Sequence, residues 1–354
     1  MSQGQKSQLA IIVIAILLLL TALAFSLAKA YSTPPTLKIG LVAPFEGLYR
    51  NTGYEVLFAV KLALHERNQA GGIQGHQIEL IALNDFNDPK VAVAQAKALL
   101  ADPDVIGVVG HVSPEASQAA IPVYQAGQMA MVIPWSVPGA ALTGGDGVVS
   151  IAATIDAAAE HLAAARQDAG YNRPPLVISQ PITLPEVVTS PVQLEMPAVA
   201  AAHVLQALQA ANYSGPVFGQ VEVGNRQLLQ TAGAVADGLV FVSPGPAISE
   251  IDPIQRDTFV TAYQSLAGFP PGPRAVMAYD AAHILLDSVE QVMLFKNRWY
   301  NDSLMRTDVS AALNNVHDQG LSGEIYFNHL GQRQSAPLWL YRITNDYPGT
   351  LIVP

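Results

Sequence analysis

The sequence predicts an α/β protein built on a parallel, doubly wound sheet, followed by a second unit of the same style. Short β-branched runs alternate with helical segments four times within about 100 residues, the pattern of β-α repeats. Helices in this stretch open with aspartate or serine followed by proline, an N-cap with proline in the first turn. The chain has 354 residues, which at ~150 residues per domain suggests two domains.

The first half gives these elements in order. KIGLVAP (Lys38–Pro44) reads as a buried strand. Tyr54 to Asn68 carries apolar residues at helical spacing and is closed by Gly71-Gly72. IELIALND (Ile78–Asp85) is a second strand, and Asp88-Pro89 opens a helix running to Leu100. VIGVVG (Val105–Gly110) is the third strand, Ser113-Pro114 starts the next helix, and MAMVIP (Met129–Pro134) is the fourth strand. Ligands of such sheets sit beyond the carboxyl ends of the strands. The functional loops are therefore Pro44–Thr52, Asp85–Pro89, His111–Glu115 and Trp135–Gly139.

The second half is less regular. Helices are predicted at Asp156–Ala169, Val199–Ala211, Ile254–Ala267 and Arg274–Phe295. Strands are predicted at Leu176–Ser179, Val217–Gly219, Leu239–Ser243, Gly323–Asn328 and Ala336–Ile343. Between Ser179 and Glu195, prolines 181, 185 and 191 disfavour a helix.

Leu9 to Ala28 is an uncharged run bounded by Lys6 and Lys29. Twenty helical residues span ~30 Å, a bilayer's hydrocarbon thickness. Ala28-Lys29-Ala30 also has the small-x-small pattern of a signal cleavage site. Residues 1–30 are thus a membrane anchor or a signal segment cleaved after Ala30, and 31–35 (YSTPP) a stiff linker. Either outcome exports the remainder, which is extracytoplasmic, anchored to the membrane or released. Lipid attachment to cysteine is excluded, because the chain has no cysteine.

Composition narrows the function. Net charge is −10, and the exported part carries −12, with 16 basic against 28 acidic residues. An acidic surface repels phosphate, so nucleic acid is not expected as a partner. Absence of cysteine excludes disulfide frameworks, zinc-thiolate and iron–sulfur sites, and cysteine nucleophiles. There is no P-loop, no G-x-G-x-x-G and no G-x-S-x-G elbow. His65-Glu66-Arg67-Asn68-Gln69 starts like a zinc-protease helix, but Gln69 stands where the second histidine belongs. Asn84 to Asp88 alternates like a calcium loop, then breaks at Pro89 without a closing glutamate, and reads as a helix cap. No enzyme, metal or cofactor is expected.

Five stretches together resemble the leucine/isoleucine/valine-binding family of ABC-transporter solute receptors. These are KIGLVAPFEGLYRNTG, HERNQAGGIQGHQIELIALNDFNDPKVAVAQAKALL, VIGVVGHVSPEASQAAIPVYQ with MVIPWS, RAVMAYDAAHILLDSV, and LSGEIYFNHLGQRQSAPLWLYRI. The resemblance implies a type I periplasmic-binding fold, two α/β lobes joined by three crossovers and closing like a hinge on a solute. Lobe 1 is then 36–147 plus 243–320, and lobe 2 148–242 plus 321–354. Against the family, the stretch from Arg166 to Pro191 is short by roughly 30 residues, about one β-α unit, so lobe 2 is reduced.

The resemblance also implies a site. The family holds an amino acid's carboxylate with lobe 1 hydroxyls and backbone N–H groups, which points to Ser113; the next loop adds Ser136 and Trp135, a tryptophan that would wall or stack on a ligand. Phe45, Glu46 and Tyr49 are cleft candidates from the first loop. Tyr279 and Asp280 are expected to serve helix packing and capping. Lobe 2 should supply an acid for the ammonium and an aromatic beside it. The acid's position falls on Val221, with Glu222 one residue later, and the aromatic's loop matches Glu195-Met196-Pro197. The implied function is a solute-binding protein of an ABC importer, taking an amino acid, amide or small carboxylate and delivering it to a membrane permease. The alternative is a membrane-tethered sensing or partner-binding module of the same fold.

Overall fold

The computed structural model describes residues 13–22, 36–144, 147–180, 184–185, 188–296, 302–344 and 347–352. Residues 13–22 form an exposed helix, α1. The rest of the apolar run, 9–12 and 23–28, lies outside the described residues. Among the described residues no helix is long and apolar enough to cross a membrane.

The first sheet has the order β2-β1-β3-β4-β5, all parallel. Its strands are β1 (Thr36–Ala43), β2 (Gln77–Asn84), β3 (Val105–Gly110), β4 (Ala130–Ile133) and β5 (Val148–Ser150). Side chains alternate between two buried faces. Ile39, Leu41 and Ala43 enter one core and Val42 the other. The first face is covered by α2 (Arg50–Gln69), α9 (Pro273–Lys296) and α10 (Asp302–Leu313), with α8 (Pro253–Ala267) packed on α2. The second is covered by α3 (Pro89–Ala101) and α4 (Pro114–Ala126). Gly107 in β3 lets α9 approach closely: a Cβ there would lie 2.6 Å from Leu285 Cδ1.

The second sheet has the order β13-β12-β9-β8-β7-β6. Strands β6 (Leu176–Ile178), β7 (Val192–Leu194), β8 (Val217–Gly219) and β9 (Val240–Ser243) are parallel. Strands β12 (Trp339–Arg342) and β13 (Thr350–Ile352) continue it antiparallel. Helices α6 (Ala198–Ala210) and α7 (Arg226–Ala232) cover one face, and α5 (Ile155–Asp168) the other. Parallel neighbours usually need a helical crossover of a dozen or more residues. Here β6 and β7 are joined by 179–191, among whose described residues there is no helix.

The chain crosses between the sheets after β5, after β9, and after the hairpin of β10 (His317–Gly320) and β11 (Gly323–Tyr326). Two lobe boundaries differ from the sequence reading. Val148–Ser150, expected in the second lobe, pairs with β4; so short an edge strand carries no alternation that would assign it. Ile325 and Phe327, from the expected second-lobe segment 321–354, pack in the first sheet's core.

A buried polar knot ties the crossovers. Asp280 accepts hydrogen bonds from Leu321 N, Ser322 N and Ser322 Oγ at 2.8, 2.8 and 2.6 Å. Arg333 donates to the carbonyls of Ile151, Ser322 and Glu324 and to Ser322 Oγ. Asp280 thus serves the hairpin rather than capping its own helix. Tyr279 packs on Phe259 and donates to Glu66 Oε2 at 2.6 Å. Replacing Asp280 with alanine leaves buried donors without partners. The expected loss is about 3 kcal/mol of stability, read as a lower midpoint in urea denaturation. A substitution at the exposed Glu160 should change it by less than about 0.5 kcal/mol.

Candidate functional site

The carboxyl ends of both sheets face one another, and the loops leaving them make the cleft. From the first lobe come Pro44 to Thr52 after β1, Asn87 after β2, and Val112 and Ser113 after β3. Pro197 and Ala198 after β7, and Glu222 to Gln227 after β8, come from the second. Arg274, in the first turn of α9, completes the wall.

The loop after β3 is fixed from behind. His111 is fully buried, its Nδ1 2.7 Å from Asp85 Oδ2 and its Nε2 3.4 Å from Tyr124 Oη. Ser117 Oγ donates to the His111 carbonyl. Ser113 Oγ accepts from Ala116 N at 3.3 Å, and Pro114 follows at N1. That arrangement is an N-cap, in which the serine oxygen accepts from its own helix and the hydroxyl hydrogen stays available to donate.

Arg274 is the central group. A helix amino terminus disfavours a cation, yet this guanidinium is 2 % exposed. Three things offset the mismatch. Its plane lies over the Trp135 ring, 3.8 Å from the centroid. Nη1 donates to the Val112 carbonyl at 3.2 Å. Nη2 faces Glu222 Oε1 across the cleft at 3.4 Å. Arg274 Nε and Ser136 Oγ are buried with no hydrogen-bond partner, while the Trp135 indole N–H is directed at the Glu222 carboxyl and favours its charged form.

Other bonds also join the lobes. Asn225 Nδ2 donates to Thr52 Oγ1, Gln227 Nε2 to the Leu48 carbonyl, and Asn51 Nδ2 to Gln230 Oε1. Between them remains a cavity of about 20 Å³, room for roughly one water. A solute enters only if the lobes part. Larger hollows lie elsewhere, one of about 430 Å³ between α8, α9 and the hairpin, another of about 480 Å³ lined by Tyr54, Phe58, Arg226 and Phe269. The cleft is the better candidate because strand ends, cross-lobe bonds and the unpartnered Nε of Arg274 converge there.

Several carboxyl and phenol groups are perturbed. Burial pushes the Glu222 carboxyl up, against the pull of Arg274. Burial likewise raises Glu55, whose Oε1 accepts from Ala275 N at 3.2 Å beside Arg274. Burial raises the Tyr49 phenol too, with Glu115 and Glu222 adding to it. His111 is held between Asp85 and Tyr124, and Ser113 Oγ accepts from its own helix. Among the described residues no group of three or more side chains is placed to hold a metal ion.

The sequence candidates are distributed as follows. Ser113, Tyr49 and Glu222 line the cleft. Trp135 and Ser136 are buried behind it, Trp135 as the platform for Arg274. Phe45 packs against Tyr54 and the first core, and Glu46 is exposed beside it. Glu195 is exposed and accepts from Gln193. Val221 is buried in the second lobe's core, and its neighbour Glu222 turns to the cleft. Sequence reasoning did not single out Arg274, Thr52, Asn225 or Gln227. For Arg274 a signal exists: an arginine directly after Pro273, in the first turn of an apolar helix, is electrostatically misplaced unless something outside the helix uses it.

Two α/β lobes with facing strand ends and a charged, donor-rich cleft define a ligand-clamping protein of the periplasmic-binding type. The chain belongs to the periplasmic binding protein family, whose model matches residues 36–180 and 192–348. It is 34% identical over 117 residues to a leucine-, isoleucine-, valine-, threonine- and alanine-binding protein from Pseudomonas aeruginosa. That match covers 33% of this chain and 31% of the relative, so the chain spans about a third of that protein's length. Its fold is shared with a substrate-binding protein from Desulfitobacterium hafniense in complex with leucine (TM-score 0.72, 17% identity, 90% of this chain and 99% of that one). A branched-chain amino acid transporter substrate-binding protein from Streptococcus pneumoniae, in complex with isoleucine, gives a TM-score of 0.73 at 17% identity, covering 90% and 98%.

A group whose carboxyl is raised in the folded state stabilises the fold less as pH rises above its unfolded value, ~4.3 for glutamate. Glu55→Gln keeps the acceptor for Ala275 N and removes the buried charge. The variant should therefore gain stability over the parent between pH 5 and pH 8. At pH 4 the two should converge, as followed by thermal denaturation across pH.

Proposed function

We propose that this protein is the extracytoplasmic solute-binding component of an ABC importer, capturing a small amino-acid-type solute of the branched-chain class by hinge closure. Arg274 of the first lobe facing Glu222 of the second carries this reading. Opposite charges at the facing strand ends match a zwitterion's two poles, and the curated relatives' names point to the same solute class. Trp135, Ser136, Ser113 and Tyr49 complete the site. In this reading residues 9–28 hold the protein at the membrane or direct its export, and the closed form docks on a permease. No chemistry is required of the site.

One observation favours a second reading, a membrane-tethered sensing or partner-binding module. The lobes already bond to each other through Asn225, Gln227 and Gln230, with about 20 Å³ between them.

A thermal-shift screen against amino acids, amides and small organic acids separates the two. A solute at 100 times its Kd adds ~2.7 kcal/mol of stability, seen as a raised Tm. A branched-chain amino acid should give that shift, and Trp135→Ala, which removes the platform under Arg274, should abolish it. A folded protein unshifted by the whole panel contradicts the receptor reading and favours the module.

A further inference from the structure

The guanidinium of Arg274 is divided in its commitments. Nη1 is taken by the Val112 carbonyl, and one face by Trp135. The remaining edge carries Nε–H and Nη2–H side by side, the parallel donors with which arginine grips a carboxylate. On that edge Nε has no partner, and Nη2 has Glu222 at 3.4 Å. A charge-assisted bond is ordinarily about 2.7–2.9 Å long, so Glu222 holds the fork loosely and from one side. A buried donor without an acceptor is costly, and the free Nε–H beside a loosely held Nη2–H calls for an acceptor with two oxygens.

The carboxylate position suggested by family resemblance is poorer in donors here: Pro114 has no N–H to give, which leaves the Ser113 hydroxyl, whose oxygen also caps its own helix. We infer that the Nε/Nη2 edge of Arg274 is the carboxylate anchor of the cleft, gripping a solute's free carboxylate in place of Glu222 and excluding solutes in which that group is neutral. The inference rests on the receptor reading and names its solute class. With Arg274 engaged by the solute, Glu222 is released to meet a cationic end. An α-amino acid satisfies both, and an amide leaves the fork without its anion.

Isothermal titration of the intact protein with isoleucine, isoleucinamide and 3-methylpentanoate tests this. Isoleucine is expected to bind, and isoleucinamide to bind about 100-fold more weakly or worse, since a site built for a polar group rejects the analogue lacking it. Arg274→Gln should lower isoleucine affinity by a similar factor. Arg274→Lys, which keeps the charge but not the fork, should lose roughly 10-fold. 3-Methylpentanoate keeps the carboxylate, and whatever affinity it has should fall in Arg274→Gln as well. If Arg274→Gln does not fold, the isoleucinamide comparison on the parent protein decides. Isoleucinamide binding within about 3-fold of isoleucine, or unchanged affinity in folded Arg274→Gln, overturns the anchor and leaves the receptor reading standing. If neither isoleucine, leucine nor valine binds the parent protein, the receptor reading fails and the anchor with it.

Discussion

A buried guanidinium at the amino-terminal end of a helix has to be balanced by groups outside that helix. In this protein the Trp135 face, the Val112 carbonyl and Glu222 do so. The first two belong to the same lobe and the third to the other. Placing Arg274 therefore couples the loops after β3 and β4 to the loop after β8. The cleft is where that coupling is made, and its small residual volume follows from how closely the groups meet.

The frame that brings them together is the crossing of one chain between two parallel sheets. Each sheet buries both faces, so its strands read as apolar runs and its polar loops collect at the carboxyl ends. The knot of Asp280, Ser322 and Arg333 binds the start of α5's crossover, the hairpin and the final return into one base. Asp85, His111 and Tyr124 do the corresponding work at the cleft, fixing the loop that offers Val112 to Arg274. One knot holds the lobes' base and the other shapes the surface between them.

Much of the first sheet was legible because its signals are long. Strand β3 falls on Val105–Gly110 as the β-branched run indicates, and α3 and α4 start at the prolines behind Asp88 and Ser113. The second lobe was less legible. Strands β5, β7 and β13 have three residues each, too few for alternation to show, and α7 has seven. At the site, loop positions were legible and side-chain directions were not. Trp135 and Ser136 lie under the cleft rather than in it, and Phe45 turns to the core. Val221 and Glu222 differ by one residue and point into different surroundings, which spacing in a loop does not reveal. Arg274 escaped because it sits at a helix start, far in sequence from every strand-end loop.

In the receptor reading, a solute held at the Arg274–Glu222 cleft governs how the two lobes stand to each other. The absence of native cysteines makes a direct test simple. Lys97→Cys on α3 and Gln209→Cys on α6, both exposed, place one spin label on each lobe. Distances between the labels are then measured by pulsed electron resonance with and without saturating isoleucine or leucine. A broader or longer distribution is expected without solute and a single shorter distance with it. A distribution that is the same in both conditions, in a protein that binds the solute, contradicts that reading.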